Sequence, residues 1–286
     1  MAEIKMPNIN HWEKEIDSVV WRLIKFKKGT STKLNLGHLN FIEPSGAILL
    51  ILICNYVFNL TGVKVEITNV KPQVLSYFNR ILFFNVISQW AFTNDKISWW
   101  QKVHYNQRSL SVVEITLLEQ AFDVYNFTQK CQSIIRSWFP ESYQKEYCDR
   151  AMTVVMEVCS NALDHSGSEA YAMLQKYSRG YGSQIKISVG DMGIGIREHL
   201  LKAHRWVGSH DTDFIEKALN GLSGRQNSSG GFGLKRIQEI TAKHKGKVLL
   251  RSGKGMVEIE NGLKKYYFNY SFPGTQYLIE LRNHNC

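Results

Sequence analysis

The chain has 286 residues, a formal net charge of +10, 44% hydrophobic and 21% charged residues. That length can bury a full core in one large or two modest domains, and the balance excludes a disordered or fibrous chain. No run of about 18 apolar residues occurs; the densest, residues 47–54, is far shorter, so no membrane span and no membrane partner are expected.

The first seven residues lack the charged-then-apolar layout of a signal peptide. Cys54, Cys131, Cys148, Cys159 and Cys286 are scattered without a C-x-x-C pair, which fits neither a zinc site nor a disulfide framework. Reduced thiols and a cytoplasmic location are the expectation. Lys and Arg fall in short clusters such as residues 25–28 and 243–247. Solvated surface accounts for most of these, so nucleic acid ranks behind nucleotide phosphates and acidic proteins as a partner.

In chain order, residues 12–28 are predicted as an amphipathic helix, with Trp12, Ile16, Val19, Val20, Leu23 and Ile24 at three- and four-residue steps. Residues 33–37 and 63–68 alternate as strands, and the apolar stretch 46–60 between them is a helix that starts at the turn Glu43–Gly46 and ends by Gly62. Residues 72–87 read as one further helix. These elements predict a small α/β domain over 1–88, followed by a linker or docking segment, 89–105, that holds Trp90, Trp99 and Trp100.

A second domain is expected over 106–286. It opens with a strand at 110–116 and continues with helices at about 119–138 and 141–165, divided by Phe139 and Pro140. Strands at 168–177 and 183–190 lead into a long irregular stretch, 191–230. Small residues within it (Gly221, Gly224, Ser228, Ser229) suit a mobile lid over 197–229. A helix at 231–244 and strands at 247–260 and 265–282 complete the domain. The predicted fold class is α/β, an α+β two-layer sandwich with helices on one face of a mixed sheet.

Three segments of the second domain carry chemistry. On the helix 141–165, Glu157, Asn161 and His165 follow each other at four-residue spacing and share a face. The amide oxygen of Asn161 is a hard ligand suited to Mg²⁺, and Glu157 could orient or deprotonate a water or an incoming hydroxyl. Asp191 ends the strand 183–190, where a carboxylate can accept a hydrogen bond from the exocyclic amine of adenine. Gly193 and Gly195 then permit tight turns beside a flat ligand. Gly230, Gly231 and Gly233 precede a helix beginning near Leu234, an arrangement that frees backbone N–H groups to cradle phosphate. No G-x-x-x-x-G-K-[ST] motif is present. Each segment alone reads equally as an ordinary polar helix face, a turn or a flexible loop; their order and spacing point to an ATP pocket.

Together they resemble the N, G1 and G2 boxes of the GHKL superfamily, which includes gyrase, histidine kinases, mismatch-repair ATPases and a heat-shock chaperone. The similarity covers about 105–286 and implies an ATP-binding Bergerat fold. By position, Asn161 would hold Mg²⁺, Asp191 would read adenine, and Gly193 and Gly195 would shape the base pocket. Gly230, Gly231 and Gly233 would shape the phosphate side, His165 and Leu234 would be further nucleotide-binding residues, and Glu157 would be the catalytic or Mg-supporting carboxylate.

Residues 30–88 resemble a STAS domain through the strand at 33–37, then Glu43, Pro44, Ser45 and Gly46, then a helix. STAS domains of anti-sigma-factor antagonists carry Asp-Ser-Ser-Gly there, and their second Ser is phosphorylated by a GHKL kinase. Ser45 takes that phosphoacceptor position, while Glu43 and Pro44 depart from the motif. The other reading of Ser45 is a helix cap.

The combined resemblance implies an ATP-binding regulatory or signalling protein of the anti-sigma and histidine-kinase branch. Mg-ATP would drive ATPase or Ser/Thr-kinase-like switching of a regulatory protein partner, and pairing of two copies is common in the family. No phosphoacceptor-His helix is recognisable before the second domain, and no stretch follows that could form a transducer domain. The alternative is an ATP-gated interaction subunit with little or no turnover, and Glu157 is the residue on which the two diverge.

Overall fold

The computed structural model describes residues 2–7, 12–93, 111–139, 141–179, 182–204, 208–223 and 232–283, with the side chains of 12–15, 141–144, 165, 179 and 182 outside that set. The chain divides into two compact units, Met1–Ser109 and Leu110–Cys286.

The first unit alternates strand and helix: β1 (Ala2–Lys5), α1 (Trp12–Leu23), β2 (Thr32–Asn35), α2 (Pro44–Thr61), β3 (Val65–Thr68), α3 (Pro72–Arg80), α4 (Phe83–Ile87) and β4 (Ala91–Thr93). Its strands lie in the order β1-β2-β3-β4, all parallel, with Lys33 opposite Glu66 and Val65 opposite Ala91. Parallel neighbours require crossover connections, and the helices supply them. The sheet therefore runs past residue 88 to Thr93, into the stretch expected as a linker. The helix expected over 72–87 is broken in two, because Leu82 adopts a left-handed conformation (φ 59°). The break lets Phe83 stack on Phe78 at 4.1 Å.

α2 is the core helix of this unit. It ends on Gly62, whose left-handed backbone (φ 71°) sends its N–H to the Phe58 carbonyl. By length and composition α2 could cross a membrane, contrary to expectation, since Asn55 and Asn59 interrupt the apolar run without breaking the helix; 78% of it is buried inside the structure. Ser45 does not cap it. Pro44 takes the first helical position, which makes Glu43 the cap residue, and Ser45 lies within the first turn at 5% exposure.

The second unit contains β5 (Val112–Leu118), α5 (Ala121–Trp138), α6 (Glu141–Ser166), β6 (Ala170–Arg179), β7 (Gly182–Asp191), α7 (Gly195–Leu201), α8 (Asp211–Leu219), α9 (Phe232–Lys243), β8 (Lys247–Ile259) and β9 (Leu263–Asn283). Its strands are ordered β5-β6-β7-β9-β8. Every pairing is antiparallel, not mixed as expected, because β9 returns from the β8 hairpin into the gap beside β7.

Alternation along the strands sends Ala172, Leu174, Ile187, Val189, Leu250, Tyr277 and Ile279 to one face. There they pack with Val154, Val158 and Ala162 of α6 and Phe214 and Ile215 of α8. α7 and α8 fall inside the stretch expected to be irregular. α8 is fixed by a capping box in which the Asp213 carboxylate accepts from the Ser209 and His210 amides. Both helices bury an apolar side, so the part of the expected lid at 197–229 that they occupy is packed structure. Residues 205–207 and 224–229 of that lid lie outside the described residues.

Beyond the Gly253–Gly255 irregularity the β8–β9 hairpin folds back. Lys247 pairs with Glu258 at 3.1 Å, eleven residues ahead on the same strand, and Lys265 reaches Asp213 at 3.1 Å and Glu216 at 2.7 Å on α8.

Candidate functional site

The site is assembled on α6. Its last residue, Ser166, accepts the Ile194 amide at 3.0 Å. A Cβ on Gly193 would lie 2.1 Å from the Ser166 carbonyl oxygen, so only glycine lets the turn after β7 sit against this helix end. The helix carrying Glu157 and Asn161 is thus fastened to the turn carrying Asp191.

Asp191 is 1% exposed. Its Oδ1 accepts two backbone hydrogen bonds, from Gly193 at 2.8 Å and from Thr275 at 3.2 Å. Burial pushes its carboxyl up to about 7, against the opposing pull of the two amides. Its carbonyl receives the Gln276 side-chain amide at 3.5 Å, and Gln276 in turn accepts from the buried Arg251 at 3.2 Å. Gly274, at φ 75°, brings β9 so close that a Cβ there would stand 1.9 Å from the Asp191 carbonyl oxygen. Ser252 Oγ closes the assembly by accepting the Ile196 amide at 3.0 Å and donating to the Gly274 carbonyl at 3.1 Å. Asp191 is therefore held from three chain segments, with both described hydrogen bonds to its carboxylate on Oδ1. That leaves Oδ2 as the atom for an external donor.

The second cluster lies earlier on α6. Gly233, second residue of α9, approaches Glu157 and Asn161: a Cβ on it would be 2.5 Å from Glu157 Oε2 and 3.5 Å from Asn161 Nδ2. Asn161 Nδ2 is buried and has no hydrogen-bond partner among the described residues. A buried amide without a partner carries a desolvation cost that a ligand would relieve. Asn161 and Ser166 are five residues apart, about 7–8 Å along the helix axis, a spacing suited to a base at one cluster and phosphates at the other.

The structure thus brings together Glu157, Asn161 and Gly233 in one group, and Asp191, Gly193 and Gly195 in the other. Leu234 packs partly buried against the hydrophobic core. His165 stands on the last turn of α6, but its side chain lies outside the described residues, as do Gly230 and Gly231. A cleft of about 330 Å³ borders the same turn through Ile194, Gly195 and Gly274, yet neither Asn161 nor Asp191 lines it.

Sequence reasoning missed Ser252, Gly274, Thr275 and Gln276. The signal available was Pro273 and Gly274 inside an otherwise alternating strand, which marks a bend rather than a continuous ladder.

The donor set fits a magnesium ion. Glu157 and Asn161, one turn apart on α6, are residue types with hard side-chain oxygens, and Mg²⁺ takes one or two such protein ligands with the rest from phosphate and water. No cluster of three or more His, Cys, Asp or Glu residues that would suit an all-protein metal cage occurs among the described residues.

Residues 147–281 match the family described as histidine kinase-, DNA gyrase B-, and HSP90-like ATPase. The matched stretch runs from within α6 into the last part of β9 and contains both clusters. No curated protein matches the chain. The second unit carries a GHKL-type ATPase domain, and ATP is the ligand that such domains bind.

Proposed function

We propose that the second unit binds Mg-ATP between α6, the β7–α7 turn and the start of α9, and that the bound nucleotide controls a regulatory protein partner. The observation that carries this is the buried Asp191 carboxylate, fixed by two amides on Oδ1 and carried on a turn fastened to the same helix that bears Asn161. Asp191 accepts from the exocyclic amine of adenine, and the close Gly193 and Gly274 contacts keep its turn from yielding. Asn161 and Glu157 would hold the metal at the phosphate end. The N-terminal turn of α9, kept near them by Gly233, offers unpaired backbone N–H groups to phosphate. Magnesium, when bound, neutralises phosphate charge there.

Glu157 stands where it could take the proton of an attacking water or of a partner's hydroxyl. In this reading the chain is an ATPase or a Ser/Thr-kinase-like switch, and the parallel first unit serves as a STAS-like partner module. The alternative, an ATP-gated interaction subunit, keeps the same pocket without turnover.

The deciding measurement is phosphate release and transfer by wild type and Glu157→Ala at equal ATP occupancy. Turnover lost in the variant supports the switch that consumes ATP. Binding without turnover in either protein assigns the gating role, and no ATP binding by wild type rejects both.

A further inference from the structure

Tyr277 is an aromatic residue whose place in the sheet sets it near Asp191. β7 and β9 pair with Val189 opposite Tyr277 and Gly190 opposite Gln276. Val189 and Tyr277 both enter the core beneath α6, and Asp191, two residues beyond Val189, points to that same face. Asp191 and Tyr277 are therefore diagonal neighbours across the strand pair, a separation that an aromatic side chain spans.

Tyr277 is 5% exposed, and its hydroxyl is not among the fully buried polar atoms that lack a partner. Burial, and then the Asp191 charge, push its ionisation far above the usual phenol range, so the hydroxyl stays protonated and acts as a donor. A phenol this deep is ordinarily hydrogen-bonded, because leaving the group unpaired costs stability.

We infer that Tyr277 is a second base-reading residue: its hydroxyl donates to ring nitrogen N1 of adenine while Asp191 accepts from the neighbouring exocyclic amine. The inference rests on the nucleotide reading of the site. Adenine presents a donor and an acceptor side by side on that edge. Guanine presents an acceptor and a donor in the opposite order, so the Asp191 contact would turn repulsive, while the Tyr277 hydroxyl would have to switch from donor to acceptor. A site with paired polar contacts rejects an analogue lacking one of them.

The test is a binding comparison on the full chain, using ATP and the ATP analogue in which N1 is replaced by C–H, with wild type and Tyr277→Phe. Wild type is expected to prefer ATP by roughly tenfold, the worth of one buried hydrogen bond. Tyr277→Phe should weaken ATP by the same factor, leave the analogue unchanged and bring the ratio to about one. Equal affinity of wild type for the two ligands overturns the proposal without recourse to any variant. A ratio that persists in Tyr277→Phe also overturns it, and in both cases the ATP site stands. Failure of wild type to bind either ligand removes the nucleotide reading and this proposal with it.

Discussion

Ser45 at the start of α2 and Asp191 at the end of β7 are both polar, both at the end of an element, and both nearly sealed from solvent, at 5% and 1% exposure. Ser45 lies in the first turn of its own apolar helix, and the cap position before it is filled by Glu43 with no side-chain cap bond. Around Asp191 the neighbours come from far along the chain: Ser166 closes on its turn, Thr275 and Gln276 reach it from β9, and Tyr277 lies diagonal to it. Burial alone does not distinguish a site from a core. What distinguishes Asp191 is convergence of segments whose glycines, Gly193 and Gly274, are shaped for backbone contact and whose polar groups leave one oxygen to a ligand.

The strongest way to break that contrast is to remove the pocket's phosphate end. Asn161→Ala should abolish Mg-ATP binding by calorimetry while the melting temperature without nucleotide hardly moves, since the lost amide nitrogen has no internal partner. Unchanged affinity would sink the pocket assignment.

Asp191→Asn comes next. The amide oxygen can still take the Gly193 and Thr275 amides, but a donor replaces the acceptor facing the base, so ATP affinity should fall by about ten- to a hundredfold. A fall equal for ATP and GTP would show that Asp191 does not read the base.

Gly193→Ala should cost about 1–3 kcal/mol in urea unfolding, because its Cβ would meet the backbone of Ser166 and not a flexible side chain. A neutral result would mean that the α6 end and the β7 turn are not locked together.

The pH dependence sharpens the same contrast. Asp191 ionises at about 7 in the folded chain, and near 3.9 when unfolded. The folded chain holds the extra proton between these values, so this group's contribution to stability is complete below about 4 and is lost as pH rises through about 7. ATP binding needs the carboxylate and should run the other way, weakening up to about tenfold per pH unit below 7. Asp191→Asn should remove both slopes; slopes that survive in it belong to another group.

Ser45 should give the smallest effect. Ser45→Ala is expected within about 1 kcal/mol of wild type, and intact mass after incubation of the folded protein with Mg-ATP should show Ser45 unmodified. Rapid stoichiometric phosphorylation would prove that the start of α2 opens readily, and would restore the phosphoacceptor reading.

Much of the fold was legible in local pattern. The strand–helix alternation of residues 32–68, the long helix bearing Glu157 and Asn161, and the paired final strands follow from periodicity and turn residues that act over a few positions. Local pattern failed where long-range packing overrides it. Leu82 breaks the helix at 72–87 because the aromatic side chains around it pack better with the chain turned. α7 and α8 are short helices whose apolar faces make sense only against the sheet, although the Asp213 cap was readable in principle.

The candidate site divides in the same way. Glu157, Asn161, Asp191 and the glycines were visible from the sequence, because their residue types and spacing are set by the ligand chemistry they would serve. Ser252, Gly274, Thr275 and Tyr277 were not, because each owes its place to the register of β9 between β7 and β8, and register is a property of paired strands. The sequence by itself determined which groups could bind a nucleotide. Only the tertiary structure decided which of them meet, how Asp191 is desolvated, and that Ser45 is a core residue rather than a cap, since desolvation and contact depend on segments far apart in the chain, 84 residues in the case of Asp191 and Thr275.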